Sequence, residues 1–160
     1  PEKVLQTIFS RCQSIRVLPL TKEEARRVAE LKPEADTEEL TTFMDLFSDL
    51  LYAVTSRDLT GALECGEMMA ALESREKQKA FCNFAAVCIR KIFMIQQKLP
   101  QISGVSEDEN LFYEEMAAKC PKGFCMRSVA NIEKVVAMID RNVNSKILFC
   151  DLVNRMFMNI

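Results

Sequence analysis

From Leu40 to Phe157 the large apolar residues recur at three- and four-residue steps, and each run ends at a capping or breaking residue. That period belongs to α-helices with one buried face, and a chain that keeps it this long is committed to a helical bundle. Asp36-x-x-Glu39 caps the first strong stripe, formed by Leu40, Phe43, Met44, Phe47, Leu50, Leu51 and Val54. The spacing predicts a second helix from about Asp58 to Leu72, with Leu59, Ala62, Leu63, Met69 and Leu72 inward. Gly61 and Gly66 within it cost roughly 1 kcal/mol each relative to Ala and point to a close helix–helix approach. Ser74 starts a long third helix to about Lys98, with Phe81, Phe84, Ala85, Cys88, Ile92 and Ile95 as its stripe. After a loop from Pro100 to Val105, Ser106-x-x-Glu109 reads as a capping box for a helix carrying Leu111, Phe112 and Met116. Pro121-Lys122-Gly123 breaks the chain again. Val129, Ile132, Val135, Val136 and Ile139 mark the next helix, which Asn142 ends. Asn144 caps the last one, whose Ile147, Leu148, Phe149, Leu152, Val153, Met156 and Phe157 leave little polar face and predict a central position. The expected fold is therefore all-α, a bundle of about six helices over residues 36–160.

The first 35 residues read differently. Ile15, Val17 and Pro19 alternate with Arg16 and Leu18, a short β pattern with no partner strand in the sequence. Thr21-x-x-Glu24 caps a short helix from Glu23 to Leu31, and Lys32-Pro33-Glu34-Ala35-Asp36 is the clearest boundary in the chain. The chain opens at Pro1 rather than at a Met and reads as the C-terminal part of a longer protein.

Composition narrows the chemistry. There is no His, so His-dependent triads, Cys–His nucleophiles and His-ligated metals are excluded for this chain alone. Lys plus Arg is 21 against 23 Asp plus Glu, which excludes a globally basic nucleic-acid binder. The basic pairs Arg26/Arg27, Lys77/Lys79, Arg90/Lys91 and Lys119/Lys122 are scattered and read as solvated helix faces, so no strong DNA binding is expected of 36–160 alone. No run of about 18 apolar residues occurs, and the opening residues do not form a signal peptide; a cytoplasmic location is expected.

Seven Cys, an odd number, suits reduced thiols, and Cys65, Cys82, Cys88 and Cys150 fall in apolar stretches as expected of small buried side chains. Cys120 and Cys125 flank the Pro121–Gly123 turn, but two thiols lack the further ligands a zinc site needs. Met68, Met69, Met138 and Met156 read as core filler, and the carboxylate pairs Glu23/Glu24, Glu38/Glu39 and Glu114/Glu115 as solvated faces. No phosphate-binding glycine loop is present, so no cofactor is expected to bind this chain.

One segment does not read as core. Thr7-Ile8-Phe9-Ser10-Arg11-Cys12-Gln13 resembles the Ser-Arg-Cys signature of the clamp-loader branch of AAA+ proteins. The order of motif, strand, short lid helix and helical collar is similar to that of the delta-prime family of bacterial DNA polymerase III clamp-loader subunits. Asn142-Val143-Asn144-Ser145-Lys146-Ile147-Leu148-Phe149-Cys150-Asp151 is similar to the start of that family's last collar helix. The lid is shorter here than in the family.

The resemblance implies that residues 1–20 end a nucleotide-binding domain, 21–35 are a lid remnant, and 36–160 form the collar. It implies that Arg11 is an arginine finger acting in trans on a neighbour's ATP, with Ser10 and Cys12 fixing its loop. A guanidinium is permanently charged and forks onto phosphate oxygens, which suits that role. The implied partners are the gamma/tau-type motor subunits and the delta subunit, met through the collar, in an ATPase of which this chain is a component and not the ATP-binding part. The alternative is a free-standing helical adaptor that binds a partner helix in a groove, which requires an exposed apolar groove.

Overall fold

The computed structural model describes residues 34–99, 102–105 and 109–160. By its contacts the chain divides into two units, Pro1–Thr37 and Glu38–Ile160. The described residues are all-helical, with six helices: α1 (Glu34–Thr55), α2 (Leu59–Ala70), α3 (Arg75–Gln96), α4 (Asn110–Lys119), α5 (Phe124–Asp140) and α6 (Ser145–Met158). No strand occurs among them. The strand pattern at Ile15–Leu20 and the helix at Glu23–Leu31 lie outside the described residues.

Local chemistry sets most helix ends. The Asp58 carboxylate accepts from Gly61 N–H, Ser74 Oγ from Lys77 N–H, and Asn144 Oδ1 from Ile147 N–H, each satisfying an amide of the first turn. Two expected caps are displaced. α1 begins at Glu34, so Asp36 sits inside the helix instead of capping it. α4 begins at Asn110, and Glu109 makes no side-chain cap bond; Ser106 lies outside the described residues. At the other ends the chain reverses through the left-handed region at Arg57, Lys98 and Asn142, with φ of 61°, 60° and 61°. Arg57 is held there by bonds to the main-chain oxygens of Phe157 and Ile160, and its guanidinium stacks 5.5 Å from the Phe157 ring. The α1–α2 turn is thereby tied to the end of α6.

Packing follows the apolar stripes. Helices α2, α6, α5, α3 and α4 contact one another in that spatial order, α2–α6, α6–α5, α5–α3 and α3–α4. α1 joins α3 and α4 through an aromatic chain: Phe43 meets Phe81 edge-on at 5.5 Å, Phe47 meets Phe84 at 6.4 Å and Phe112 at 6.3 Å, and Tyr52 meets Phe112 at 5.8 Å. Such edge-to-face pairs contribute about 0.5–1.5 kcal/mol each beyond area burial. Gly66 is where α2 and α6 close up. A Cβ there would lie 3.2 Å from Val153 Cγ2 and 3.6 Å from the Phe149 carbonyl oxygen, so a glycine is what lets the helices meet. Gly61 serves a different purpose from the expected one: a Cβ there would meet its own cap, Asp58 Oδ2, at 2.6 Å.

Several expected core residues lie at the surface. Leu59 is exposed, Leu111 is 79% exposed, and Ile147 is 66% exposed. α6 is therefore not buried all round. Leu148, Phe149, Leu152, Val153 and Met156 point inward, while Lys146, Ile147, Cys150, Asp151 and Asn154 form an outer face. Met69 and Met156 are core residues as expected, but Met68 and Met138 are exposed, and so is Cys150.

Candidate functional site

Ser10, Arg11 and Cys12 lie outside the described residues, and so does the rest of the Thr7–Gln13 run. The candidate site that the structure itself presents is a surface on α2, α3, α5 and α6.

Helix α5 organises it. Gly123, at φ 88°, turns the chain out of Cys120–Pro121, and Phe124 N–H donates to the Pro121 carbonyl at 3.1 Å to start the helix. A Cβ on Gly123 would lie 3.0 Å from Arg127 Nη1, so the turn leaves room for that guanidinium. Phe124, Cys125, Ser128, Ile132, Val135 and Ile139 then face the core. The residues on either side of that inward face form two stripes of different chemistry. Met126, Val129, Ala130 and Glu133 line a groove against α3, whereas Arg127, Asn131 and Lys134 line a furrow against α6.

The α3/α5 groove encloses about 540 Å³. From α3 it receives Ala86, Val87, Arg90, Phe93 and Met94. Val87 is 56% exposed and Met126 is 68% exposed, so two large apolar side chains stand in water beside half-buried Phe93, Met94 and Val129. The α5/α6 furrow, about 440 Å³, is lined by Arg127, Asn131, Lys134, Asn154, Arg155 and Asn159, with Ala130 and Met158, and no carboxylate lines it. Arg155 is paired with Asp151 at 2.7 Å, and Arg127 Nη2 donates to the Asn159 carbonyl at 3.4 Å. A third furrow, between α2 and α6, holds Leu63, Gly66, Ile147 and Cys150 among charged neighbours.

The helical period alone does not single out these groove residues. Val87 and Met126 sit off the apolar stripes of their own helices, and that off-register hydrophobicity is the signal the sequence offers. Elsewhere Lys77 pairs with Glu73 at 2.8 Å, Lys79 with Asp140 at 2.9 Å and Lys119 with Glu115 at 2.7 Å at exposed or half-exposed positions, whereas Lys91, expected on a solvated face, is largely covered: it pairs with Glu109 at 3.2 Å and lies 5.0 Å over the Tyr113 ring. Of the carboxylate pairs, Glu115 serves both Lys119 and the Tyr52 hydroxyl, whose hydrogen bonds hold its carboxyl below the usual range.

The thiols are placed for packing. Burial pushes Cys82 and Cys120 up to about 12 and Cys125 up to about 11, so they stay protonated at neutral pH. Cys120 and Cys125 are both buried at the α4–α5 corner, which Gln96 stitches by donating to the carbonyls of Ala117 at 3.1 Å and Cys120 at 2.9 Å. Among the described residues no three His, Cys, Asp or Glu side chains come together as a metal site. No helix among them is long and apolar enough to cross a membrane. What the described surface offers is an apolar groove beside a basic, amide-rich furrow.

No family model, no curated protein and no solved structure matches this chain.

Proposed function

We propose that this chain is an assembly subunit of the clamp-loader type, similar to the delta-prime family, in DNA replication. The helical unit acts as a collar that joins gamma/tau-type motor subunits and a delta subunit in the cytoplasm. Arg11 reaches the ATP of a neighbouring subunit as an arginine finger, with Ser10 and Cys12 holding its loop, and this chain contributes no ATP site of its own. The observation that carries the reading is the Thr7–Gln13 run standing ahead of a helical bundle. The exposed apolar groove between α3 and α5 supports a role in association, since a patch of that kind gains by being covered.

Arg11→Ala in the complete protein, reconstituted with its partner subunits, tests this reading. Assembly should be unchanged and stability should move by only about 0.5 kcal/mol, as for a surface residue. ATP hydrolysis at the one interface should fall roughly 10³-fold or more, and the total rate only in part, because other subunits carry their own fingers. Arg11→Lys should not restore it, because a flexible point charge lacks the planar fork. An assembled complex with unchanged ATPase and clamp-loading rates would overturn the assignment of Arg11.

The same groove favours a second reading, a free-standing adaptor that seats a partner helix. It leaves the Thr7–Gln13 run without a role. The two readings separate on whether clamp-loader motor subunits are bound at all.

A further inference from the structure

The apolar groove and the basic furrow are one surface. Ala130 lines both, and Asn154 lines both the α5/α6 and α2/α6 furrows, so the three depressions adjoin across α3, α5, α6 and α2. Helix α5 sets the pattern. Met126, Val129, Ala130 and Glu133 run along its side toward α3, and Arg127, Asn131 and Lys134 run at i, i+4 and i+7 along its side toward α6. At 1.5 Å rise per residue, Arg127 and Lys134 stand about 10 Å apart along the axis. Among the described residues Lys134 makes no ion pair, and Arg127 bonds only a main-chain carbonyl.

We propose that this face docks an amphipathic α-helix of a protein partner with an acidic flank. The partner's apolar stripe enters the α3/α5 groove against Val87, Phe93, Met126 and Val129. Carboxylates two turns apart on its flank meet Arg127 and Lys134, with the Asn131 amide between them. The proposal rests on reading the bundle as an interaction module and adds the partner's chemistry; it makes no use of the Thr7–Gln13 run. Charge complementarity selects the occupant. Among the described residues no ion pair engages Arg127 or Lys134 and no carboxylate lines the furrow, and it adjoins an apolar trough shaped between two helices, the arrangement an i/i+3/i+4/i+7 helix fills. A nucleic-acid backbone fits less well. It needs a continuous basic track, whereas Glu133 interrupts this one on the groove side and Asp151 neutralises Arg155 on the other.

The test uses the full 160-residue chain and a fluorescein-labelled synthetic helical peptide of about 18 residues, five turns long. The peptide carries Leu at i, i+3, i+4 and i+7 and Glu along one adjoining flank; a control peptide carries Lys in place of Glu. Fluorescence anisotropy should show the Glu peptide binding at least about tenfold tighter than the Lys peptide, with the difference shrinking as salt rises. R127E/K134E should reverse the preference, and Met126→Glu should abolish binding of both peptides. These side chains are exposed, so thermal melting should be unchanged in each variant and a loss of binding cannot be laid to unfolding. Equal affinity for the two peptides, no binding of either, or indifference to both variants would overturn the proposal. So would a labelled single-stranded oligonucleotide that binds and is lost in R127E/K134E while neither peptide binds. Co-elution with clamp-loader motor subunits is scored separately. Peptide failure with co-elution intact rejects this partner chemistry alone, and peptide success without co-elution rejects the clamp-loader reading alone.

Discussion

Gln78 is the polar residue on which the packing of three helix ends should depend. It is only 4% exposed and stands one step before Phe81 in the apolar stripe of α3. Its amide Nε2 donates to the Ala70 carbonyl, the last of α2, at 3.0 Å, and its Oε1 accepts from Ser145 Oγ, the first residue of α6, at 2.9 Å. Gln78→Met keeps the length of the side chain and removes both bonds. Each such bond contributes about 0.5–1.5 kcal/mol net, and the carbonyl and hydroxyl left behind are half-buried, so water replaces the amide only in part. Burying the thioether returns some of this, and the expected loss is about 2 kcal/mol. For a domain of this size that lowers Tm by about 4–8 °C. Urea and thermal unfolding followed by far-UV circular dichroism measure it, and a double-mutant cycle with Ser145→Ala should give a coupling of about 1 kcal/mol. A Gln78→Met protein within about 0.5 kcal/mol of the parent, or a cycle with no coupling, would refute the claim that this amide bolts α2, α3 and α6 together.

Gly66→Leu should force α6 away from α2 and cost about 1–3 kcal/mol, since Val153 and the Phe149 carbonyl occupy the space a side chain needs; a chemical-denaturation curve unchanged from the parent would contradict the close approach. With a thiol-specific disulfide reagent on the native protein, Cys150 should react within the mixing time among the described cysteines, and Cys82, Cys120 and Cys125 only on unfolding. These buried thiols also set an alkaline limit. Their folded pKa values lie above the unfolded value near 9, so the native state keeps protons the unfolded state releases. The stabilisation is complete below pH 9 and is lost as pH rises, up to about 12 for Cys82 and Cys120 and about 11 for Cys125, with a slope approaching 1.4 kcal/mol per pH unit for each thiol within its window. Denaturation midpoints measured across that range should fall steadily, and a flat profile would refute the assignment.

The helices are legible in the sequence because their stripes are long and the breakers agree with them. Phe81 to Ile92 in α3 and Ile132 to Ile139 in α5 are read inward by period alone, and Asp58, Ser74 and Asn144 announce their helices by side-chain chemistry. The width of each buried face is not legible in the same way. Ile147 and Leu111 continue an apolar pattern, yet both are largely exposed, Ile147 at the open furrow beside α2, and the period cannot say where a neighbour stops. Gln78 is hidden for the opposite reason, being a polar residue in an apolar register whose partners come from other helices, one of them far along the chain. The turns at Arg57 and Lys98 carry no glycine to mark their positive φ, and Arg57 is held by α6, a contact about one hundred residues away in sequence. The groove is legible only in part, because Val87 and Met126 are conspicuous off-stripe residues while their juxtaposition depends on how α3 packs on α5.

The most direct test of the central claim is the assembly state of the chain with its proposed partners. The purified 160-residue chain, mixed with the C-terminal domain of a clamp-loader motor subunit, is passed over size-exclusion chromatography with light scattering across a wide concentration range. A stoichiometric complex at a mass above either component is the predicted result. Elution of both proteins at monomer mass at every concentration would contradict the collar assignment.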